Sequence, residues 1–266
     1  MKLRNVGQSG LRVSVVGLGC NNFGGRTDLD ATRAVVHKAL DLGVTLFDTS
    51  DTYGERGGSE TYLGELLGAR RKDIVLATKF GMAMDDEGRL NGASRGYIMS
   101  EVEASLRRLK TDWIDLYQLH RPDPLTPIEE TLGALDDLVR QGKVRYIGCS
   151  NLAAWQVAVA QSTARQQRLT GFVSCQDQYS LLVRGIEREL VPAMRHLGLG
   201  LLPYAPLAGG LLTGKYKRNA PVPPGTRFAH PDGRYPQRYM NDANWDKVEK
   251  LGRFAQARGQ IGRANV

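Results

Sequence analysis

SLRRLKTDWIDLYQLHRPD, residues 105–123, reads as the end of a helix, a turn and a whole strand. Leu106 and Leu109 continue the three- and four-residue apolar spacing of an amphipathic helix over Met99–Leu109. After the turn, IDLYQL runs into His120, so a short apolar strand over Ile114–His120 ends on an imidazole. The same grammar repeats on both sides. Further strands are expected at Val13–Gly19, Thr45–Thr49, Ile74–Phe80, Val144–Ser150, Phe172–Tyr179 and Leu199–Tyr204. Helical spacing is seen near Ala31–Leu42, Ser59–Leu67, Ile128–Gln141, Trp155–Gln166, Glu187–Leu197 and Asn244–Arg258. Most of the strands are short apolar runs without alternation, as expected where both faces of a parallel sheet are covered.

Strict alternation of strand and helix points to an α/β fold of parallel βαβ units, a (β/α)8 TIM barrel in a single domain. Lys2–Val6 and Leu11–Val13, joined by Gly7-Gln8-Ser9-Gly10, read as a β-hairpin that plugs the barrel's N-terminal end. From about Gly214 to Asn241 a Pro-, Gly- and Arg-rich stretch reads as one long irregular loop on the active-site face. The count stops at seven strands. The eighth strand and final helix are expected to be mostly absent from this sequence, with the missing segment following Arg258.

Composition narrows the function classes. With 41% hydrophobic and 24% charged residues in 266, the chain can bury an ordinary core. The N-terminus carries no signal-peptide pattern and no run approaches a membrane span. Cys20, Cys149 and Cys175 are odd in number and lack metal-ligand spacing, which suits reduced thiols in a cytoplasmic protein with no metal. A net charge of +8 raises nucleic acid as a partner, but the basic residues are scattered. The densest run, Arg70-Arg71-Lys72, reads as a solvated turn. Neither nucleic acid nor membrane is expected as a partner, and the chain is expected to be a monomer or weak homo-oligomer.

Four polar residues stand at or just past strand C-termini: Asp48, Tyr53, Lys79 and His120. In a parallel barrel those ends share one face. A free phenol has a pKa near 10. A neighbouring ammonium lowers it, and a carboxylate keeps that ammonium charged and placed. Lys79 and Asp48 supply this pair for Tyr53 as acid, while His120 can polarise a carbonyl. A lone Asp or Lys at a strand end is more often a salt-bridged structural residue, His120 can equally be a satisfied rim histidine and Tyr53 can simply pack; it is their joint occurrence that suggests proton transfer.

The contexts carry a resemblance. FDTSDTYG (47–54) with GGSE after it, LATKFG (76–81), SLRRLKTDWIDLYQLHRPD (105–123) and GKVRYIGCSN (142–151) resemble the aldo-keto reductases. So do QDQYSLL (176–182) and PYAPLAGGLLTGKY (203–216). The resemblance implies a barrel, a catalytic tetrad of Asp48, Tyr53, Lys79 and His120, and a nicotinamide cofactor, NADPH by family habit with NADH left open. It implies that Ser150, Asn151 and Gln178 hold the carboxamide and that Tyr204 stacks on the ring. Pro206, Leu207, Gly209 and Lys215 would line the pyrophosphate path, and Arg227 would reach a phosphate. Gly19, Cys20, Asn21 and Arg26 sit where the family touches cofactor or substrate. Gln260 and Asn265 resemble the adenine contacts, although they stand one residue further apart than the family pattern. No GxGxxG follows a strand, so a doubly wound dinucleotide fold has no support.

The implied activity is reduction of a small aldehyde or ketone. A sugar or alcohol dehydrogenase running in reverse is one alternative; a cofactor-sensing, non-catalytic binding subunit, like the potassium-channel β subunits, is another. Substrate walls are expected from Asn21, Asn22, Phe23, Phe80, the Met82–Gly92 loop and Asp123.

Overall fold

The computed structural model describes residues 1–229 and 234–260, with the side chains of 234 and 235 left aside. The chain divides into two compact units, Met1–Gln176 with Glu189–Leu202, and Asp177–Arg188 with Pro203–Val266.

The first unit opens on an antiparallel hairpin, β1 (Leu3–Asn5) and β2 (Arg12–Ser14). A seven-stranded sheet follows, in the order β3 (Gly17–Gly19), β4 (Leu46–Asp48), β5 (Val75–Phe80), β6 (Ile114–Leu119), β7 (Val144–Ser150), β8 (Ser174–Gln178) and β9 (Gly200–Tyr204). Strands adjacent in sequence are neighbours in the sheet, and the pairings from β3 to β8 are parallel. The crossovers are α1 (Leu29–Asp41), α2 (Tyr53–Leu67), α3 (Arg95–Leu109), α4 (Ile128–Arg140), α5 (Ala154–Gln167) and α6 (Leu190–Leu197). This is the β/α-barrel order the sequence predicts. The hairpin is the expected plug: Val6, Leu11 and Val13 pack with Leu46, Ala77 and Leu116 near the strand starts.

One strand was read too long. The run from Val13 to Gly19 breaks after Ser14, so β2 belongs to the hairpin and only β3 joins the main sheet. Ser14 causes the break. Its amide donates to Thr45 Oγ1 at 2.8 Å and its hydroxyl receives the Thr45 amide at 2.9 Å, so side chains replace the backbone ladder there.

Helix boundaries follow local chemistry. Asp28 caps α1 by accepting from the Ala31 amide at 2.8 Å, and Ser94 caps α3. The α2 span is interrupted: Gly54, Glu55, Arg56 and Gly57 all have positive φ, so regular helix starts only beyond them, near the expected Ser59. Gly54 is required there, because a Cβ would lie 2.3 Å from the Phe23 carbonyl oxygen. The left-handed Glu55 and Arg56 are the kind of backbone strain that collects beside active sites.

Helices α2 and α3 meet at Gly64, where a Cβ would stand 2.2 Å from the Arg108 carbonyl oxygen. Backbone cannot yield like a side-chain tip. Gly64→Ala is therefore expected to cost about 3 kcal/mol of stability, read from the urea midpoint at unchanged slope. A midpoint equal to that of the parent chain would mean the helices do not approach this closely.

The basic run near residue 71 is not wholly a solvated turn. Arg71 is 7% exposed, pairs with Asp115 at 2.8 Å and donates to the Trp113 carbonyl at 2.7 Å. Arg145 pairs with the same Asp115 at 2.9 Å, and both guanidinium groups sit over the Trp113 ring. Cys20, Cys149 and Cys175 are buried; Cys149 and Cys175 are register partners with sulfurs 3.7 Å apart. Among the described residues no helix is long and apolar enough to cross a membrane, and no group of His, Cys, Asp or Glu could hold a metal.

In the second unit the described parts of the long stretch carry regular structure that its composition does not suggest. It contains a helical turn at Arg227–Ala229 and a helix, α7 (Arg234–Tyr239), before α8 (Asp242–Gln256). Aromatic packing accounts for this. The Tyr216 and Phe228 rings stack at 4.4 Å, Tyr239 lies 6.1 Å beyond Phe228, and Trp245 completes the cluster.

Candidate active site

Parallel register assembles the site. Asp48 ends β4 opposite Ala77, and Lys79, two residues further along β5, sits opposite Gln118 of β6. Lys79 Nζ donates to Asp48 Oδ2 at 2.6 Å and to the Thr49 carbonyl at 2.7 Å, and it also bonds Tyr53. The Tyr53 ring meets the His120 ring edge-on at 5.7 Å, and Lys79 Nζ stands 4.9 Å from the Tyr53 centroid. Asp48, Tyr53, Lys79 and His120 thus lie together in the first unit. Tyr53 is the first residue of α2 rather than a free loop residue.

Three participants escaped the sequence reading. Gln118 and Gln176 donate to Asp48 Oδ1 at 3.0 and 2.9 Å, so both carboxylate oxygens are held. Ser50 lies 3.0 Å from His120 Nδ1. The signal was present: each is two residues along the strand direction from a residue already singled out, and that spacing returns a side chain to the same face.

Burial sets the electrostatics. It pulls the Lys79 ammonium down, but the Asp48 carboxylate and Tyr53 more than offset this, so Lys79 stays above an ordinary lysine. Burial pushes the Tyr53 phenol up. Lys79 pulls it down as expected, yet the phenol ends above its usual value, because desolvation and Asp48 outweigh the ammonium. Its expected net acidification is therefore corrected: Tyr53 is a firmly protonated phenol in this state. His120 is driven down to about 3 by burial and by Lys79 and Arg121, so the imidazole is neutral. Cys20 is fully buried, and burial pushes its thiol up.

Around the tetrad, Ser150 donates to the Gln176 carbonyl at 2.7 Å. Asn151, with φ of 61°, donates to the His120 carbonyl at 3.0 Å and to Ser150 Oγ at 2.9 Å. The two side chains are thereby fixed beside the tetrad, hydroxyl and amide groups suited to a carboxamide. Among the described residues a Cβ on Gly19 would meet nothing within 4 Å. Asn21 and Arg26 are exposed.

The expected substrate walls fare unevenly. Phe80 is 0% exposed and packs on Tyr117 at 4.7 Å, and Phe23 is 3% exposed. Neither ring is presented to solvent. Asp123 is occupied in tying loops, accepting from the Ala93 and Leu125 amides at 2.7 and 2.9 Å. The Met82–Gly92 loop is closed on itself by the Met84 amide to the Leu90 carbonyl, 2.8 Å, and fastened by an Arg56–Asp86 ion pair.

Within the second unit, Gln178 donates to the Tyr239 hydroxyl and accepts from Arg238. The Tyr204 carbonyl receives the Tyr179 amide at 3.4 Å. Pro206 and Lys215 are exposed, Leu207 and Gly209 half-buried, and a Cβ on Gly209 would strike the Phe228 ring at 2.6 Å. Arg227 is half-buried and Gln260 exposed. Asn265 lies outside the described residues.

Comparison with known proteins places the chain in a family. The sequence model of the Aldo/keto reductase family matches residues 15–262. The chain is 43% identical to "Uncharacterized oxidoreductase YrpG" of Bacillus subtilis (strain 168), over 86% of this chain and 72% of the relative. It is 34% identical to L-glyceraldehyde 3-phosphate reductase of Escherichia coli (strain K12), over 98% and 77%. It is 36% identical to "Probable voltage-gated potassium channel subunit beta" of Arabidopsis thaliana, over 94% and 75%. The chain belongs to the aldo/keto reductase family. It is an oxidoreductase with that family's (β/α)8-barrel fold.

Proposed function

We propose that the protein reduces a small aldehyde or ketone to the alcohol, with NADPH, or else NADH, as hydride source and Tyr53 as general acid. The observation that supports this most is the Asp48–Lys79–Tyr53 chain beside a neutral His120. When bound, the reduced nicotinamide supplies hydride to the carbonyl carbon. The neutral His120 donates a hydrogen bond to the carbonyl oxygen and orients it. Tyr53, protonated at neutral pH, gives its phenolic proton to that oxygen as negative charge develops. Lys79 stabilises the phenolate left behind, and Asp48 keeps the ammonium in place with help from Gln118 and Gln176.

Ser150 and Asn151 are proposed to hold the cofactor carboxamide. Gly19, Cys20, Asn21, Tyr204, Pro206, Leu207, Gly209, Lys215, Arg227, Gln260 and Asn265 are proposed as further cofactor residues from the family pattern. Gln178 joins them by exchanging its Arg238 and Tyr239 partners.

The test is isotopic. NADPH carrying deuterium at C4 of the nicotinamide, with a panel of aldehydes, sugars and ketones, is expected to give alcohol deuterated at the carbinol carbon. No consumption of NADPH or NADH with any member would sink the reading. The Arabidopsis relative's name favours one rival, a cofactor-sensing binding subunit. Tight cofactor binding without turnover would select it.

A further inference from the structure

Ser50 carries one hydroxyl proton with Asp51 Oδ1, His120 Nδ1 and, at a longer 3.2 Å, the Thr52 hydroxyl within reach, and Thr52 can itself be the donor in that contact. Its Oγ lies 2.7 Å from Asp51 Oδ1 and 3.0 Å from His120 Nδ1. A hydroxyl donates once. If it donates to Asp51, the contact with Nδ1 is a hydrogen bond only when Nδ1 is protonated, and a neutral imidazole then offers Nε2 as an acceptor. If it donates to Nδ1, the ring proton sits on Nε2. The hydroxyl of Ser50 therefore selects the His120 tautomer, and Asp51 competes for that hydroxyl.

Asp51 is 0% exposed. Its Oδ1 accepts from the Thr52 amide at 2.7 Å as well as from Ser50, while Oδ2 has no hydrogen-bond partner among the described residues. The titratable groups facing it are Glu60 from α2, Tyr97 and Glu101 from α3, and Tyr117 from β6. Arg108 is committed to Glu60 and Glu101. The Tyr97 and Tyr117 hydroxyls are also buried without hydrogen-bond partners among the described residues. An ionised carboxylate with one oxygen unpartnered among carboxylates is costly, so the neutral acid is the favoured form, and a proton on Oδ1 is donated to Ser50 Oγ across the same 2.7 Å contact. Burial first, then Glu60 and Glu101, push Asp51 up to about 8. His120 itself faces Lys79 and Arg121 and carries no charge in that range.

We propose that Asp51 and Ser50 are positioning residues that set the tautomer of His120: a neutral Asp51 carboxyl leaves Ser50 free to donate to Nδ1, so that Nε2–H faces the substrate oxygen. This deepens the carbonyl-reductase reading and rests on it for its catalytic meaning. The transition state needs a donor at that oxygen in either direction of the reaction. When Asp51 loses its proton, Ser50 turns to the carboxylate, Nδ1 takes the ring proton, and the donor is lost.

The full chain labelled with 15N-histidine tests this without turnover. Long-range proton–nitrogen correlation spectra report which ring nitrogen is protonated, and a His120→Asn chain assigns the signal. His120 is expected to be Nε2–H at about pH 6.5 and to convert to Nδ1–H as pH rises through about 8, remaining neutral throughout. Asp51→Asn is expected to hold Nε2–H across the range, and Ser50→Ala to abolish the conversion. Kinetically, kcat/KM for reduction should fall about tenfold above the transition, the worth of one hydrogen bond, and Asp51→Asn should flatten that limb. A wild-type His120 that keeps one tautomer from about pH 6 to 10, or a Ser50→Ala chain that converts like the parent, overturns the proposal. A conversion seen in a chain that reduces nothing would support the relay while the reductase reading fell.

Discussion

Tyr53→Phe is expected to lower kcat for aldehyde reduction about 10³-fold while leaving cofactor affinity within about twofold. The change removes one oxygen and little else. The ring keeps its edge-on contact with His120 at 5.7 Å and its place beneath Lys79, 4.9 Å away. Lys79 retains Asp48 and the Thr49 carbonyl as acceptors, so no buried charge is abandoned. The loss thus falls on the proton-transfer step rather than on folding or binding. Because burial holds the phenol above its ordinary pKa, wild-type activity should show no alkaline limb from tyrosine ionisation in the neutral range. Stopped-flow turnover and a fluorescence titration of cofactor on the same preparation separate the two quantities. A variant that reduces a good aldehyde at the parental rate would remove Tyr53 from the mechanism.

Asp48, Lys79 and His120 were legible because each interrupts or ends an apolar run where the fold exposes strand ends. Their supporters were less so, since composition reveals residue type and not facing. Facing was nonetheless encoded in the alternation of strands. Lys79 and Phe80 are consecutive in β5, so if Lys79 joins the site, Phe80 belongs to the opposite face, where it packs on Tyr117 under the helices. Tyr117 and Gln118 alternate in the same way, which places Gln118 with Lys79. Arg71 was beyond local reading: its burial depends on Asp115 and Trp113, some forty positions away. The break after Ser14 depends similarly on Thr45 of the next strand. The order within 214–241 comes from Phe228 and Tyr239 packing with Tyr216 and Trp245, which Pro- and Gly-rich flanks concealed. What the sequence hid was in each case a contact between segments.

Lys79→Met should separate the structural from the chemical role of the ammonium. The side chain is 0% exposed, and methionine replaces its stem without replacing its charge. Asp48 Oδ2 and the Thr49 carbonyl would lose their donor, leaving a carboxylate, 17% exposed, short of its counter-ion. Removing one member of a buried pair costs about 3–5 kcal/mol, and the lower end is expected because Gln118 and Gln176 still hold Oδ1. A second change, Asp48→Asn, removes the stranded charge and should restore about half of that stability. Turnover should not return with it, because the phenolate formed at Tyr53 still lacks a neighbouring cation. Since the folded state raises the lysine pKa, the pair's contribution is present throughout neutral pH and is lost only as pH climbs past the ordinary lysine value. Urea midpoints therefore need no pH correction between the variants near neutrality. If the double variant regained both stability and aldehyde reduction, Lys79 would be only the partner of Asp48 and the phenol would act without it. Recovery of stability alone assigns the ammonium to the proton-transfer step.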